Sequence, residues 1–106
     1  MKYRSIYFTA QDEPEARRLA QTLVWEKLVA CANYFPVKSI YWWQGEVQEA
    51  QEVAIIAKTS ADLADKVIQR VQELHSYQVP CIESWVIEKV NRGCQEWINQ
   101  SVSPHL

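Results

Sequence analysis

The fold is decided by residues 31–60, which read CANYFPVKSIYWWQGEVQEAQEVAIIAKTS. Aromatic and β-branched residues flank Gln44-Gly45, a pair that suits a two-residue turn because glycine readily supplies a positive φ. We therefore predict strands over Cys31–Trp43 and over 46–58. Each is more than ten residues long, whereas a typical strand has about five or six, so the sequence predicts an unusually long β-hairpin.

A strand and a helix precede this hairpin. Residues 3–9, YRSIYFT, are rich in β-branched and aromatic side chains and indicate a strand. Residues 13–28 have the apolar spacing of a helix. Asp12 is a suitable N-cap with Glu15 three positions later, and Pro14 fits the first turn, where no backbone N–H is needed.

A second helix, a fourth strand and a final helix follow the hairpin. Residues 60–74 predict a helix that Thr59 or Ser60 caps, and residues 81–90 predict a strand. Asn91 is then expected to cap a short last helix. The resulting order, β-α-β-β-α-β with a C-terminal helix, is typical of an α+β, ferredoxin-like sandwich.

Length and charge limit the classes of function. We expect residues 1–106, of which 48% are hydrophobic, to form one domain with its own core. The net charge of −2 excludes a general electrostatic attraction to nucleic acid or to an anionic membrane, and no apolar run is long enough to span a membrane. Residues 1–10 lack the long apolar region and the cleavage site of a secretory signal, so we expect none. Cys31, Cys81 and Cys94 form no close pair, which predicts reduced thiols in the cytoplasm.

Two adjacent tryptophans, Trp42 and Trp43, end the first strand of the hairpin. Successive side chains of a strand point to opposite faces, so we expect one indole to turn inward and the other to turn away. If the turn pairs Trp43 with Glu46, alternation determines the side of the sheet to which every hairpin side chain points. A bulge at Pro36 would reverse this assignment.

The outer part of the hairpin predicts a contact surface. Tyr41, Trp42 and Trp43 lie opposite strongly polar partners, and one layer of helices covers only one face of a sheet. We expect these rings to lie at a protein–protein interface, which favours an oligomer. Two alternatives are that the final helix covers Trp43 or that the hairpin tip is simply exposed.

Three stretches of the chain occur in an order and spacing that match one known family. The hairpin resembles the pattern A-C-A-N, a proline, S-I-Y-W-W-x-G-x-[IV] and K-T. The loop HSYQVPCI at residues 75–82 resembles H-P-Y-x-V-P-E-I, and CQEWINQSV at residues 94–102 resembles a closing W-[IL] helix. On these motifs the chain resembles the CutA divalent-ion tolerance family over nearly its whole length.

The resemblance implies a ferredoxin-like subunit in a tight homotrimer, with the long hairpins contributing to the subunit contacts. It also implies an architecture similar to the PII signalling proteins. Members of the family are associated with copper binding and with tolerance to copper and other divalent ions.

Several positions differ from the family pattern for copper. Phe8 stands where the copper-binding bacterial member has a cysteine, and Leu74-His75 replaces its two adjacent histidines. The loop proline is Ser76, and the glutamate after V-P is Cys81. The resemblance therefore implies at most a partial copper site.

His75 and Cys81 are our candidate ligands for copper or another divalent cation, since imidazole and thiolate suit copper and zinc. Two ligands do not complete a tetrahedral site, so symmetry-related chains would have to add more. The alternatives are a hydrogen-bonding loop histidine and a buried structural thiol. Glu46, Glu49 and Glu52 are expected to lie on a solvated face.

A small-molecule site is the alternative to metal binding. Lys58 precedes a predicted helix N-terminus, where a lysine and backbone amides can hold an anion. Lys58, Tyr77 and Trp43 are therefore candidates for lining a cleft between subunits, as in a PII-like module that binds an anionic effector and signals through another protein.

An enzyme is not predicted. The stretch GEVQEAQ at residues 45–51 imitates only part of the acylphosphatase motif G-x-V-Q-G-V, since Glu49 replaces its second glycine. Two widely separated glycines also exclude phosphate-binding and dinucleotide-binding loops.

Overall fold

An antiparallel four-stranded sheet with two helices packed on one side forms the structure, a computed structural model that describes residues 2–103. The elements in chain order are β1 (Tyr3–Ala10), α1 (Glu13–Trp25), β2 (Cys31–Trp43), β3 (Glu46–Ser60), α2 (Ala64–Leu74), β4 (Glu83–Ile87) and α3 (Arg92–Ser101). The strand order is β2-β3-β1-β4. This order, with β3 between β1 and β2, confirms the predicted ferredoxin-like arrangement.

The long hairpin has the predicted register along its whole length. Trp43 pairs with Glu46, and the pairing continues without interruption to Cys31 and Lys58. Pro36 pairs with Val53 in this regular ladder, so it forms no bulge. Both turn residues have a positive φ, 51° at Gln44 and 80° at Gly45, as in a type I′ turn.

The hairpin extends well beyond the rest of the sheet. Strand β1 ends at Ala10, opposite Val53. Beyond that pair, residues 37–43 and 46–52 pair only with each other. We call this two-stranded part the overhang. The molecule measures 44 Å in its longest dimension and 26 and 20 Å in the other two.

The core lies between the sheet and the two helices α1 and α2. Ile6 and Phe8 of β1 alternate with outward residues, and Val53 and Ile55 do the same on β3. These side chains define the helix-facing side of the sheet, and the other side is called the outer side. The fully buried residues of α1 and α2 that meet them are Ala16, Leu19, Leu23, Val67 and Val71.

Helix α1 ends at Trp25, three residues earlier than predicted. Lys27 adopts a positive φ of 59°, which turns the chain out of the helix. The amide of Lys27 donates to the carbonyl of Val24, and the amide of Leu28 donates to the carbonyl of Leu23. This bonding pattern is a Schellman motif with lysine in place of the usual glycine, so the sequence carries no clear stop signal.

The second helix also begins later than predicted. Strand β3 continues to Ser60, a short 3₁₀ turn covers Ala61–Leu63, and α2 begins at Ala64. Ser60 makes no capping bond with its side chain, and Thr59 stays in the strand. The hydroxyl of Thr59 is buried and donates to the carbonyl of Leu28 at 2.6 Å, so it is used in the tertiary structure instead of at the helix start.

Two further expectations at the C-terminal end need correction. Strand β4 covers only Glu83–Ile87. Ile87 pairs with Tyr3, the first residue of β1, so no partner strand is left for residues 88–90. Asn91 is the N-cap residue of α3 as predicted, but its side chain makes no capping bond.

Replacing Thr59 with valine should lower the free energy of unfolding by about 1–3 kcal/mol, because the buried carbonyl of Leu28 loses its donor. Urea denaturation at a fixed protein concentration measures the change. Thr22→Val is the matched control, since Thr22 also donates to a backbone carbonyl, that of Arg18, but at an exposed position. Equal losses of unfolding free energy in the two variants would show that burial of the Thr59 bond does not matter.

Candidate functional site

The two tryptophans lie on opposite sides of the overhang, as alternation predicts. Trp42 is on the helix-facing side and pairs with Val47, while Trp43 is on the outer side. Trp42 is 74% exposed and Trp43 is 38% exposed. The expectation that one indole turns inward is therefore wrong for the isolated chain, because the overhang continues past the helices that would cover it.

The final helix does not cover Trp43. The hydroxyl of Tyr3 donates to the side-chain oxygen of Asn99 in α3 at 3.1 Å. Tyr3 pairs with Ser60, at the end of the sheet opposite the hairpin turn. Helix α3 therefore lies far from Trp43, and this alternative is excluded.

Apolar side chains are exposed on both sides of the hairpin. The helix-facing side of the overhang carries Ile40, Trp42 and Val47, and the outer side of the hairpin carries Phe35, Tyr41 and Trp43. Several large apolar side chains exposed together on each side of a short ribbon mark an interaction site.

The loop between α2 and β4, residues 75–82, passes the end of β1. The Nε2 atom of His75 lies 2.7 Å from the carbonyl oxygen of Thr9, which can only accept a hydrogen bond. Nε2 therefore carries the proton, and Nδ1 accepts from the backbone N–H of Tyr77 at 3.0 Å. Both ring nitrogens of His75 are used, and a metal ion at either one would displace a hydrogen bond.

Glu15 joins the start of α1 to the same loop. Glu15 is 5% exposed, and its carboxylate accepts from the backbone amides of Gln11 and Ser76, at 3.1 and 2.9 Å. Burial raises the pKa of this carboxyl, but the hydrogen bonds from Ser76 and Gln11 outweigh it, so the pKa lies below its usual value of 4.5. Asp12 accepts from the amide of Glu15 at 3.0 Å, which confirms the predicted N-cap.

Glu52 is the centre of a second polar group on the outer side. Its Oε2 atom accepts from the hydroxyl of Tyr77 at 2.6 Å and from the hydroxyl of Thr9 at 3.1 Å. Burial, followed by the bond to Glu52, raises the pKa of Tyr77 well above its usual value of 10.0, so the phenol stays a donor. Glu52 is only 8% exposed, so the expectation of a solvated face is wrong for this residue.

The predicted metal ligands lie on the same loop but do not form a metal centre in one chain. Cys81 is an exposed free thiol, whereas His75 is occupied by its hydrogen bonds. Within residues 2–103, no group of three or more His, Cys, Asp or Glu side chains is placed to hold an ion. Metal binding by these two residues stays a prediction.

The predicted cleft residues are also far apart in one chain. Lys58 pairs with Cys31, twelve positions from Trp43 along β2, which corresponds to about 40 Å. The amine of Lys58 lies 3.5 Å from the side-chain oxygen of Asn33 on the outer side. A cleft that includes both Lys58 and Trp43 would need more than one chain.

Sequence reasoning did not identify the two polar groups, one around Glu15 and one around Glu52. The only local signal was the spacing of Asp12 and Glu15, which identifies a helix start but not the contact with Ser76. The contacts of Glu52 join residues 43 and 25 positions apart, so no short motif reveals them.

The chain matches known proteins along most of its length. The family model described as CutA1 divalent ion tolerance protein matches residues 4–101. The divalent-cation tolerance protein CutA of Archaeoglobus fulgidus is 41% identical over 97 residues, which cover 92% of this chain and 95% of that protein.

Solved structures agree with these matches. The structure of the periplasmic divalent cation tolerance protein CutA from Archaeoglobus fulgidus has a TM-score of 0.93 and 40% identity, and the alignment covers 95% of this chain and 99% of that one. CutA1 from Oryza sativa also has a TM-score of 0.93, with 34% identity over 97% of this chain and 95% of that one. Among the helices of residues 2–103, none combines the length and the apolar character needed to cross a membrane.

The lowered pKa of Glu15 predicts a loss of stability in acid. The folded chain binds fewer protons than the unfolded chain near pH 4.5, so the contribution of Glu15 is present above that pH and is lost as the pH falls below it. We expect the free energy of unfolding to depend less on pH between about 5 and 3 in Glu15→Gln than in the unmodified chain.

The matched control is Glu13→Gln, since Glu13 is an exposed carboxylate in the same helical turn. We expect Glu13→Gln to change the acid profile less than Glu15→Gln does, because it leaves the bonds from Gln11 and Ser76 to Glu15 in place. The role of Glu15 would be refuted by identical acid profiles for all three proteins.

Proposed function

Because this chain belongs to the CutA1 divalent ion tolerance family, we propose that it forms a homotrimer associated with tolerance to copper and other divalent ions. We further propose that it is not an enzyme, in keeping with the names of its relatives, which describe tolerance proteins. The free thiols of Cys31, Cys81 and Cys94 support a cytoplasmic location, where cysteines stay reduced.

The overhang is the observation that carries the proposal of a trimer. A two-stranded ribbon alone is marginally stable in water, and this one exposes tryptophans on both of its sides. A neighbour that covers one side leaves the other side uncovered. Burial of both sides therefore favours a head-to-tail arrangement in which each hairpin contacts other chains. Such an arrangement forms a closed ring, of which a trimer is one, when the rotation between neighbouring chains closes.

The tolerance role rests on the family, and direct metal binding is a separate proposal. Cys81 supplies an exposed thiol near the start of β4. His75 can join it only if the loop gives up the bond to Thr9 or the bond to Tyr77. The loop at residues 75–82 thus offers these two donors from one chain, and a complete site there would take further donors from the neighbouring subunits of the trimer.

Light scattering on the purified protein should give three times the chain mass of 12.4 kDa. Trp42→Glu should dissociate the trimer, because burying a charge in place of an indole costs about 2 kcal/mol or more at each interface. Trp25→Glu is the matched control, since Trp25 is 84% exposed on α1, away from the overhang. A monomeric unmodified protein, or equal effects of the two variants, would contradict the proposal.

Calorimetric titration with Cu(I), Cu(II) and Zn(II) tests direct metal binding. We expect Cys81→Ser to weaken the binding of Cu(I) more than that of Cu(II) or Zn(II), since thiolate is the preferred ligand of Cu(I). Adding His75→Ala should weaken the binding further. Cys94→Ser is the control for loss of a thiol from the chain. Equal affinity in the unmodified protein and the double variant, with the oligomer unchanged, would exclude both ligands.

A further inference from the structure

Glu52 occupies a special position in the hairpin. It is the first residue of β3 beyond the last pair with β1, Ala10 with Val53, so the overhang begins at Glu52. One oxygen of its carboxylate accepts two hydroxyl groups, that of Thr9 at the end of β1 and that of Tyr77 in the loop after α2.

We propose that Tyr77 and Thr9 form a brace on Glu52 that fixes the direction in which the overhang leaves the sheet and ties it to the α2–β4 loop. The brace is defined as these two hydroxyl groups and the Glu52 carboxylate.

The position of the brace makes it mechanically important. A two-stranded ribbon twists and bends more readily than a wider sheet. The overhang continues for seven residues beyond Val53, or about 20 Å at 3.3 Å per residue. A small rotation at its base would therefore move the indoles at its end by several times as much as it moves Glu52.

The groups of the brace are themselves held in place. The carbonyl of Thr9 accepts from His75 at 2.7 Å, and His75 accepts from the amide of Tyr77 at 3.0 Å. The hydrogen bonds thus form a closed ring that passes through Thr9, His75, Tyr77 and Glu52. Thr9 joins this ring through two different groups, its carbonyl to His75 and its hydroxyl to Glu52, so the end of β1 is linked both to the loop and to the base of the overhang.

The consequence for assembly rests on the proposed trimer. If Trp42 and Trp43 contact neighbouring chains, the brace determines where those rings are presented. The brace itself is a property of one chain, so it is tested separately from the oligomeric state.

Hydrogen exchange of backbone amides, followed by mass spectrometry on the full-length protein, tests the brace. Tyr77→Phe and Thr9→Val each remove one hydroxyl and keep the shape of the side chain. We expect the amides of residues 37–52 to exchange about tenfold faster in each variant, the effect of losing one hydrogen bond to a charged group. The amides of Ile6 and Phe8 in β1 should exchange at the unmodified rate.

Tyr34→Phe is the matched control, because Tyr34 donates to Glu13 at 3.4 Å on the helix-facing side, away from the brace. It should leave the exchange of the overhang unchanged. The brace is refuted if the overhang exchanges at the unmodified rate in both brace variants. It is also refuted if the β1 amides accelerate by the same factor, since the effect is then global.

The outcomes also separate the brace from the trimer. If light scattering finds a monomer and the overhang still exchanges faster in the brace variants, the brace is supported and the trimer is contradicted. If the protein is a trimer and the overhang exchanges at the unmodified rate in both brace variants, only the brace is contradicted.

Discussion

The difference in length between β1 and the two hairpin strands, β2 and β3, is the constraint on which the structure depends. Strand β1 ends opposite Val53, but the hairpin continues for seven residues past that pair. The helices cover only the part of the sheet that includes β1, so no helix of the same chain covers the overhang. The exposed rings, the buried Glu52 and the need for a neighbour all follow from this one mismatch.

The sequence predicts the hairpin register because local chemistry determines it. The glycine at position 45 places the turn, and the alternation of side chains then assigns every residue of both strands to a face. Pro36 causes no disturbance because β2 is an edge strand, where a missing N–H costs no ladder bond. The facing of Trp42 and Trp43 was therefore predictable, but their exposure depended on where β1 and the helices end.

The element ends and the polar contacts were less predictable for a different reason. Lys27 ends α1 with a backbone conformation that usually calls for glycine, and the next residue, Leu28, enters the core. Thr59 looked like a helix cap, but a carbonyl 31 positions away competes for its hydroxyl. Such competition between local and distant partners cannot be read from spacing.

The loop motif that resembles the family has a structural explanation that does not require an ion. Its histidine needs one protonated and one unprotonated ring nitrogen to join Thr9 to Tyr77, and no other side chain offers both in so rigid a form. Its tyrosine reaches Glu52, at the base of the overhang. The presence of the family's histidine and tyrosine in this loop is therefore explained by how the loop holds the hairpin. Evidence for metal binding has to come from the exposed Cys81 and from donors that other subunits supply.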